Sequence, residues 1–448
     1  MKGIRAEQKP AAVAELPRKV GGPKQAGEAR DWSWVERSVW TESMLAALER
    51  GVKGGRWFSL IDKVYREKNL QASWEKVRQR KGSGGVDGQS VHDFAARADR
   101  ELTRLGEELQ DGTYEPRPVK RVYIPKPGSQ ERRPLGIPII RDRVVQTALR
   151  NVLEPIFERK FAPQSYGFRP GQGSKDALRR VQELLDKGYT WVVDADIQKC
   201  FDTIPHDLLM REVEKEVSDG KVLDLIRAYL NQGVLEGCAT WTPERGTPQG
   251  AVISPLLANV YLHPVDVEMK KAGFEMVRYA DDVVVLCRSE AEAQKALGLL
   301  RGLLAERGLN LHPAKTRIVK AQERGGFDFL GYHFERGYRW PREESLKKLR
   351  DAIRAKTKRC NGNSLAVIVA EANLTLRGWF EYFKHSHRTA FPPIDGWVRM
   401  RLRSILRKRQ GKRGRGRGSD HQTWPNAFFK DVGLFTMTEA QLVLCRPR

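Results

Sequence analysis

Phe274-Glu-Met-Val-Arg-Tyr-Ala-Asp-Asp-Val-Val-Val-Leu-Cys287 brings two apolar arms together at the adjacent carboxylates Asp281 and Asp282. The arms are rich in β-branched and aromatic residues, which predicts a β-hairpin with the acids at its turn. Two carboxylates about 4 Å apart repel by roughly 1 kcal/mol in water and by about 4 kcal/mol at an intermediate effective dielectric. Holding both ionised beside a packed sheet therefore needs a cation, and hard oxygen ligands suit Mg²⁺. Taken alone, however, Asp-Asp is also ordinary turn chemistry, because Asp bonds its own backbone at tight turns.

A second acidic strand end lies upstream, in Trp191-Val-Val-Asp-Ala-Asp-Ile-Gln-Lys-Cys-Phe-Asp202. This apolar strand carries Asp196, and the aromatic Phe201 follows five residues later. Alternation along a strand puts Asp194 on the same face as Asp196, so Asp194 is a lesser candidate. Three carboxylates from two strands, Asp196, Asp281 and Asp282, could hold two metal ions and the phosphates of a nucleotide. In-line phosphoryl transfer uses this arrangement.

Several sequence blocks, in the same order, resemble those of group II intron reverse transcriptases, which also act as maturases. Tyr279-Ala-Asp-Asp282 matches the catalytic turn, and Asp196 to Phe201 matches the first metal-binding motif. Gly246-Thr-Pro-Gln-Gly-Ala-Val-Ile-Ser-Pro-Leu-Leu-Ala-Asn-Val-Tyr-Leu262 resembles the template- and nucleotide-facing motif, and Ser165-Tyr-Gly-Phe-Arg-Pro-Gly171 a fingers motif. The resemblance runs from about Trp32 to Leu434. It implies an α+β fold: a right-hand polymerase with fingers and an antiparallel-sheet palm, followed by an α-helical thumb and maturase region.

The same resemblance implies cations that hold the incoming triphosphate. Lys126 and Arg133 match best, on two short predicted strands between Val119 and Ile139, and Arg132 replaces Arg133 if the register shifts by one residue. Such a clamp is what phosphoryl transfer needs opposite its metals. The alternative is a solvated edge hairpin, where Lys and Arg discourage aggregation. Lys315 resembles the family's motif lysine near the triphosphate, where a lysine could act as general acid to the leaving pyrophosphate; an ordinary surface lysine explains it equally well.

Two more residues are expected to contact the nucleotide. Phe201, under the sugar, would clash with a 2′-hydroxyl and favour deoxynucleotides, although core packing is the alternative. Gln249 can donate and accept hydrogen bonds, which suits the edge of a nucleotide or template base pair.

The basic charge of the chain predicts a polyanionic partner. The formal net charge is +24, and ten Lys or Arg and no acid lie between Arg399 and Arg417. Each neutralised phosphate adds about 0.9 to the slope of log affinity against log salt. The terminal Gly-Arg alternation suits a flexible arm on RNA. The predicted RNA-binding residues are Arg169, Arg399, Arg401, Arg403, Arg407, Lys408 and Arg409.

The loop that carries Arg169 admits two interpretations. Tyr166 and Phe168 beside Arg169 combine aromatic faces with a cation, which suits stacked bases and phosphates. The two rings could equally pin the loop to the core.

The predicted organisation has four parts: a disordered leader at 1–30, an N-terminal extension with fingers at 31–190, a palm at 191–339, and a helical thumb and maturase region at 340–448. Five scattered cysteines without a Cys-x-x-Cys pair argue against structural zinc and against a disulfide framework. Family members with a C-terminal His-Asn-His endonuclease carry paired cysteines there. This sequence departs from them, so we expect the DNA primer to come from an outside source. No apolar run approaches the roughly 20 residues of a membrane span, so we expect no membrane partner and a cytoplasmic protein of a bacterium, with an organelle left open.

The predicted function is RNA-directed DNA polymerisation together with binding of the group II intron RNA, which supports splicing and intron mobility. The expected cofactor is Mg²⁺, as two ions. Besides the intron RNA, the expected partners are an RNA template with a DNA primer, deoxynucleoside triphosphates and target DNA, with a homodimer left open. One alternative is a splicing-only RNA-binding maturase, which the acidic triad and the Gln249 motif oppose. Another is a reverse transcriptase recruited to host defence or to a CRISPR locus, which the maturase-like block from Asn373 to Phe383 opposes.

Overall fold

The computed structural model describes residues 31–52, 54–125, 132–414, 416 and 418–444. The predicted leader at 1–30 and the candidate Lys126 lie outside these ranges. The strands are β1 (Val119–Pro125), β2 (Arg132–Ile137), β3 (Trp191–Asp196), β4 (Val234–Glu236), β5 (Ala239–Trp241), β6 (Glu275–Tyr279), β7 (Asp282–Cys287), β8 (Arg317–Lys320), β9 (Phe327–Phe329), β10 (Tyr332–Glu335) and β11 (Tyr338–Pro341).

The helices of the first three quarters of the chain are α1 (Glu42–Arg50), α2 (Ile61–Val64), α3 (Glu67–Gln79), α4 (Val91–Ala95), α5 (Ala98–Asp111), α6 (Ile140–Glu158), α7 (Ser174–Asp186), α8 (Cys200–Thr203), α9 (His206–Glu214), α10 (Gly220–Leu230), α11 (Ser254–Lys271) and α12 (Glu290–Glu306). The later helices are α13 (Glu343–Lys356), α14 (Leu365–Phe383), α15 (Phe391–Arg409), α16 (Asp420–Thr423), α17 (Asn426–Asp431) and α18 (Met437–Leu444), with a 3-10 turn at Arg388–Ala390.

Three sheets organise the described chain. The central sheet has the order β6-β7-β3-β8, and all its pairs are antiparallel. A second sheet has the order β2-β1-β4-β5, in which only β1 and β4 run parallel. A small antiparallel sheet, β11-β10-β9, follows the central one in sequence. The α+β prediction with an antiparallel palm sheet is therefore confirmed.

The central sheet explains why β7 is apolar at every position after Asp282. Val283, Val285 and Cys287 belong to one hydrophobic core, formed with α6 and α9 to α12. Val284 and Leu286 belong to another, formed with α7, β9 and β10. A strand buried on both faces is expected to be a continuous hydrophobic run, as this one is.

The C-terminal helices have a hydrophobic core of their own. Buried residues from α13 to α18 form this cluster, which includes Phe391 and Phe429. The end of α14 also reaches the palm, because Phe383 packs in the core of β9 and β10. Two hydrogen bonds join the same parts: Tyr332 donates to the Tyr382 carbonyl at 2.6 Å, and Tyr382 donates to the Leu330 carbonyl at 2.8 Å. The predicted domain boundaries stay predictions.

Helix α11 begins at Ser254, and just before it the amides of Val252 and Ile253 donate to Gln146 Oε1 of α6. Among the described residues, no helix is long and apolar enough to cross a membrane.

Candidate active site and nucleic-acid surface

The three predicted metal-binding carboxylates meet at one end of the central sheet. Asp196 ends β3 and stands directly opposite Asp282, the first residue of β7. The hairpin strands end at the Tyr279–Asp282 pair, and Ala280 and Asp281 form the two-residue turn between them. Burial, together with the like charges of Asp281, Asp196 and Asp194, raises the pKa of Asp282 to about 6. The cluster therefore holds negative charge that its protein surroundings do not fully neutralise.

Two exposed cations contact the acids of β3. Lys315 Nζ lies 3.1 Å from Asp196 Oδ2, and Arg317 Nε lies 3.3 Å from Asp194 Oδ2. The Lys315 side chain is 58% exposed, so this ion pair contributes little to stability. Lys315 thus lies at the carboxylates, although the sequence alone was equally consistent with a surface lysine.

The donor chemistry of the cluster fits a hard divalent cation. The side chains of Asp196, Asp281 and Asp282 offer carboxylate oxygens, which are hard ligands. Burial raises the pKa of Asp281, as it does that of Asp282. Within the described ranges, no three His, Cys, Asp or Glu side chains already form a complete metal site. The side chains would have to turn toward a common ion, and Asp196 would have to release Lys315.

Arg133, a predicted phosphate-binding residue, acts on the acids electrostatically. Its positive charge lowers the pKa of Asp281 against the larger effect of burial. Arg132 precedes it on β2, where successive side chains point to opposite faces. This position supports Arg133 over Arg132, whereas Lys126 lies outside the described residues.

The segment Gly246-Thr-Pro-Gln-Gly250, here called the Gln249 motif, lies between α8 and β2 and is hydrogen-bonded to both. The Thr247 amide donates to the Phe201 carbonyl at 2.7 Å, and the Gly136 amide of β2 donates to the Gln249 carbonyl at 2.7 Å. A Cβ at Gly250, whose φ is +106°, would lie 2.7 Å from the Gly136 oxygen, so the close approach requires glycine. Gln249 Nε2 makes a long, 3.5 Å hydrogen bond to Asp202 and lines a cleft of about 640 Å³.

The fingers loop around Gly167 contains one buried and one exposed aromatic residue. Tyr166 is 4% exposed and packs in the core, whereas Phe168 is 46% exposed. Arg169 is buried: it binds Glu158 through Nε and Nη2 and donates to the carbonyls of Ala162 and Ser165. The Arg169 guanidinium is therefore bonded inside the protein, and the structure gives its predicted contact with RNA no support.

A buried polar network lies beneath the catalytic turn and was not predicted from the sequence. Arg278 of β6 is 1% exposed and makes a bidentate ion pair with Asp266 of α11, at 2.7 and 2.6 Å. It also donates to Asn259, to Ser165 and to the Ala280 carbonyl within the turn. A lone Arg in an apolar strand, with a lone Asp in an apolar helix, was the available signal, because buried charges are paired.

The loop and the turn also touch through their backbones. Asn259 Nδ2 donates to the Gly167 carbonyl at 2.8 Å, and the Tyr166 amide donates to the Arg278 carbonyl at 2.8 Å. A Cβ at Gly167 would lie 2.3 Å from the Ala280 nitrogen. The catalytic turn, the fingers loop and α11 are therefore packed as one unit.

The predicted C-terminal RNA-binding cations differ in burial. Arg403 is 2% exposed and donates to the Trp424 carbonyl and to Asn426, so the structure gives its predicted contact with RNA no support. Arg407 pairs with Asp420 at 2.7 Å, and Arg401 donates to Thr357. Lys408 and Arg409 are exposed, although Arg409 also donates to the Asn363 carbonyl.

The glycine-rich segment after α15 is partly packed. The Gly416 amide donates to Ser404 Oγ at 3.3 Å, and Arg407 donates to the Arg413 carbonyl at 2.8 Å. The flexible-arm prediction therefore fails at Gly416. Its other arginines, Arg415 and Arg417, lie outside the described residues.

Comparison with known families gives two matches. The family described as reverse transcriptase (RNA-dependent DNA polymerase) matches residues 124–334, and the group II intron maturase-specific domain matches residues 346–423.

Individual relatives match over different lengths. Protein YkfC of Escherichia coli is 35% identical over 294 residues, which cover 56% of this chain and 76% of YkfC. The group II intron-encoded protein LtrA of Lactococcus lactis is 41% identical over 169 residues, which cover 38% of this chain but 28% of LtrA. Among solved structures, one chain of a partial Cas6-RT-Cas1–Cas2 complex is similar. The alignment covers 55% of this chain and 41% of that chain, at 25% sequence identity and a TM-score of 0.36.

Proposed function

The chain belongs to the group II intron reverse transcriptase/maturase family, and from that premise we propose that it copies RNA into DNA and also binds its intron RNA. The observation that carries the polymerase proposal is the meeting of Asp196, Asp281 and Asp282 at one end of the palm sheet, beside the Gln249 motif. The maturase proposal is supported by the matched maturase-specific domain and by the basic α15.

The proposed reaction extends a DNA primer on an RNA template. The 3′-hydroxyl oxygen of the primer bonds to the α-phosphorus of a deoxynucleoside triphosphate, and the bond to the bridging oxygen breaks, so that pyrophosphate leaves. Asp196, Asp281 and Asp282 would hold two Mg²⁺ ions, which lower the pKa of the attacking hydroxyl and stabilise the leaving group when bound.

The other site residues would hold the nucleotide. Arg133 and Lys126 would bind the triphosphate, and Gln249 would contact the edge of the base pair. Lys315, which lies at Asp196, would move to the leaving pyrophosphate and act as its general acid. Phe201 would lie under the sugar and exclude the 2′-hydroxyl.

Primer extension tests the polymerase proposal. Wild type should extend a DNA primer on an RNA template with deoxynucleotides and Mg²⁺. Asp281→Asn should lose extension, because it replaces a charged metal-binding carboxylate with a neutral amide of nearly the same shape. Asp224→Asn, an exposed Asp of α10 that is paired with Arg227, is the matched control and should extend like wild type.

Splicing of the cognate intron, assayed with the same three proteins, separates the two proposed activities. We expect all three to support splicing. If wild type fails to extend but promotes splicing, the polymerase proposal is overturned and the splicing-only alternative replaces it. If wild type extends primers but does not support splicing, the maturase proposal is overturned.

A further inference from the structure

Phe168 stands out because a large aromatic side chain is held exposed on an unfavourable backbone. Its φ is +59°, in the left-handed region, and 46% of the residue is exposed. A non-glycine side chain makes that conformation unfavourable, and such strain clusters at functional sites. Glycine would adopt this conformation without that cost, so the ring itself is the feature that needs an explanation.

The exposed ring of Phe168 lies against Phe201. The two ring centroids are 6.3 Å apart and the planes meet at 80°, an edge-to-face contact between the fingers loop and α8. Aromatic pairs prefer this geometry because the positive edge of one ring faces the negative face of the other.

The backbone next to Phe168 and the backbone of Phe201 are each held by other parts of the protein. Gly167, next to Phe168, is packed on the Ala280 nitrogen and is bound by Asn259. The carbonyl of Phe201 accepts the Thr247 amide of the Gln249 motif. The contact therefore joins the catalytic turn, through the fingers loop, to the residue proposed to lie under the sugar.

We propose that Phe168 is a positioning residue for nucleotide selection: its ring backs Phe201 and fixes the Phe201 ring where it excludes a 2′-hydroxyl. Without that backing, the Phe201 ring gains room to turn away, and ribonucleotides enter more readily. A hydrophobic pocket discriminates against an added hydroxyl mainly by shape, so the rigidity of its wall controls the discrimination. This inference rests on the function proposed above.

The test measures kcat/KM for a deoxynucleotide and for the matching ribonucleotide, with kcat and KM resolved separately. Phe168→Ala should lower the deoxy-to-ribo ratio by about two- to tenfold, the range of one aromatic pair. We expect the change mainly as a lower KM for the ribonucleotide, with kcat for the deoxynucleotide little changed.

Two further variants separate the ring from the backbone. Phe168→Gly relieves the strain but also lacks the ring, so it should lower the ratio as much as Phe168→Ala. Phe168→Tyr keeps the ring and should restore the wild-type ratio. Phe58→Ala, which removes a 70% exposed ring in the N-terminal region, is the matched control and should leave the ratio unchanged.

Phe201→Ala distinguishes failure of this inference from failure of the proposed function. If Phe201→Ala lowers the ratio and Phe168→Ala does not, the positioning role of Phe168 is overturned. If Phe201→Ala leaves the ratio unchanged while the enzyme still extends primers, the proposed role of Phe201 is wrong and the inference falls with it. In the Phe168→Ala/Phe201→Ala double variant, the effect of Phe168→Ala should disappear, and an additive loss would contradict the proposal.

Discussion

At the scale of single residues, the acids of the site carry a stability cost in the absence of metal. The pKa of Asp282 is raised by burial and by neighbouring acids to about 6, from an ordinary value of 3.8. Its favourable contribution to folding is therefore fully present below pH 3.8 and is lost as the pH rises through about 6. Asparagine does not ionise and should avoid this loss.

Asp282→Asn should therefore melt at a higher temperature than wild type at pH 8 in a chelator, and the difference should vanish near pH 4. Thermal unfolding followed across this pH range gives the measurement, with Asp224→Asn as the control for a lost surface charge. Adding Mg²⁺ at pH 8 should raise the melting temperature of wild type more than that of Asp282→Asn, because a ligand stabilises the state that binds it. Parallel pH profiles for wild type and Asp282→Asn would contradict the raised pKa.

Residue-scale burial also divides cations that look alike in the sequence. Arg169 and Arg403 satisfy internal carbonyls, whereas Lys408 remains exposed. Nothing in the spacing of these residues distinguished a structural guanidinium from a solvent-facing cation, because the distinction depends on which carbonyls the fold brings near.

At the scale of elements, the catalytic hairpin is supported by two other elements. Ala280 takes a φ of +59° in the two-residue turn, and Arg278 binds its carbonyl. The Arg278–Asp266 pair is nearly inaccessible to water, so removing either partner would leave a buried charge without compensation. The turn is therefore positioned by α11 and the fingers loop as well as by its own strands.

Gly167→Ala should move the catalytic turn, because the new Cβ would lie 2.3 Å from the Ala280 nitrogen. We expect kcat for primer extension to fall by about tenfold or more, since displacements near 1 Å cost on the order of 100-fold. Overpacking should also lower the free energy of unfolding by about 1 to 3 kcal/mol.

Gly302→Ala is the matched control, because an added Cβ there meets nothing within 4 Å in the exposed part of α12. It should leave kcat unchanged and stabilise the protein by about 0.5 to 1 kcal/mol. If Gly167→Ala retains the wild-type kcat, the packing of the loop on the turn does not position the acids.

At the scale of the whole molecule, charge is the dominant bulk property. With a net charge of +24, the protein should bind a primer–template duplex in a strongly salt-dependent way. Lys408→Gln should lower the slope of log affinity against log salt by about 0.9, if the exposed cation neutralises one phosphate.

Arg403→Gln is the matched comparison within the same helix. It should leave the slope unchanged but lower the free energy of unfolding by about 1 to 3 kcal/mol, because the Trp424 carbonyl and Asn426 would lose their buried donor. Binding titrations at several salt concentrations and urea unfolding provide the two readouts. A slope that falls for Arg403→Gln and not for Lys408→Gln would contradict the assignment of these side chains.

The sequence by itself determined the elements that depend on local pattern. Apolar runs that end in acids located β3, β6 and β7. The three carboxylates were identified for the same reason, since each sits at the end of such a run. Lys315, Arg133 and Gln249 followed from family resemblance, and their roles remain proposals.

Only the tertiary structure decided contacts between residues distant in the chain. The pairing of Asp196 with Asp282, the burial of Arg169 and Arg403, the network around Arg278 and the Phe168–Phe201 contact each join segments that the chain separates. Local propensity carries no information about such pairs, because their energy arises when packing removes water and brings particular donors, acceptors and rings together.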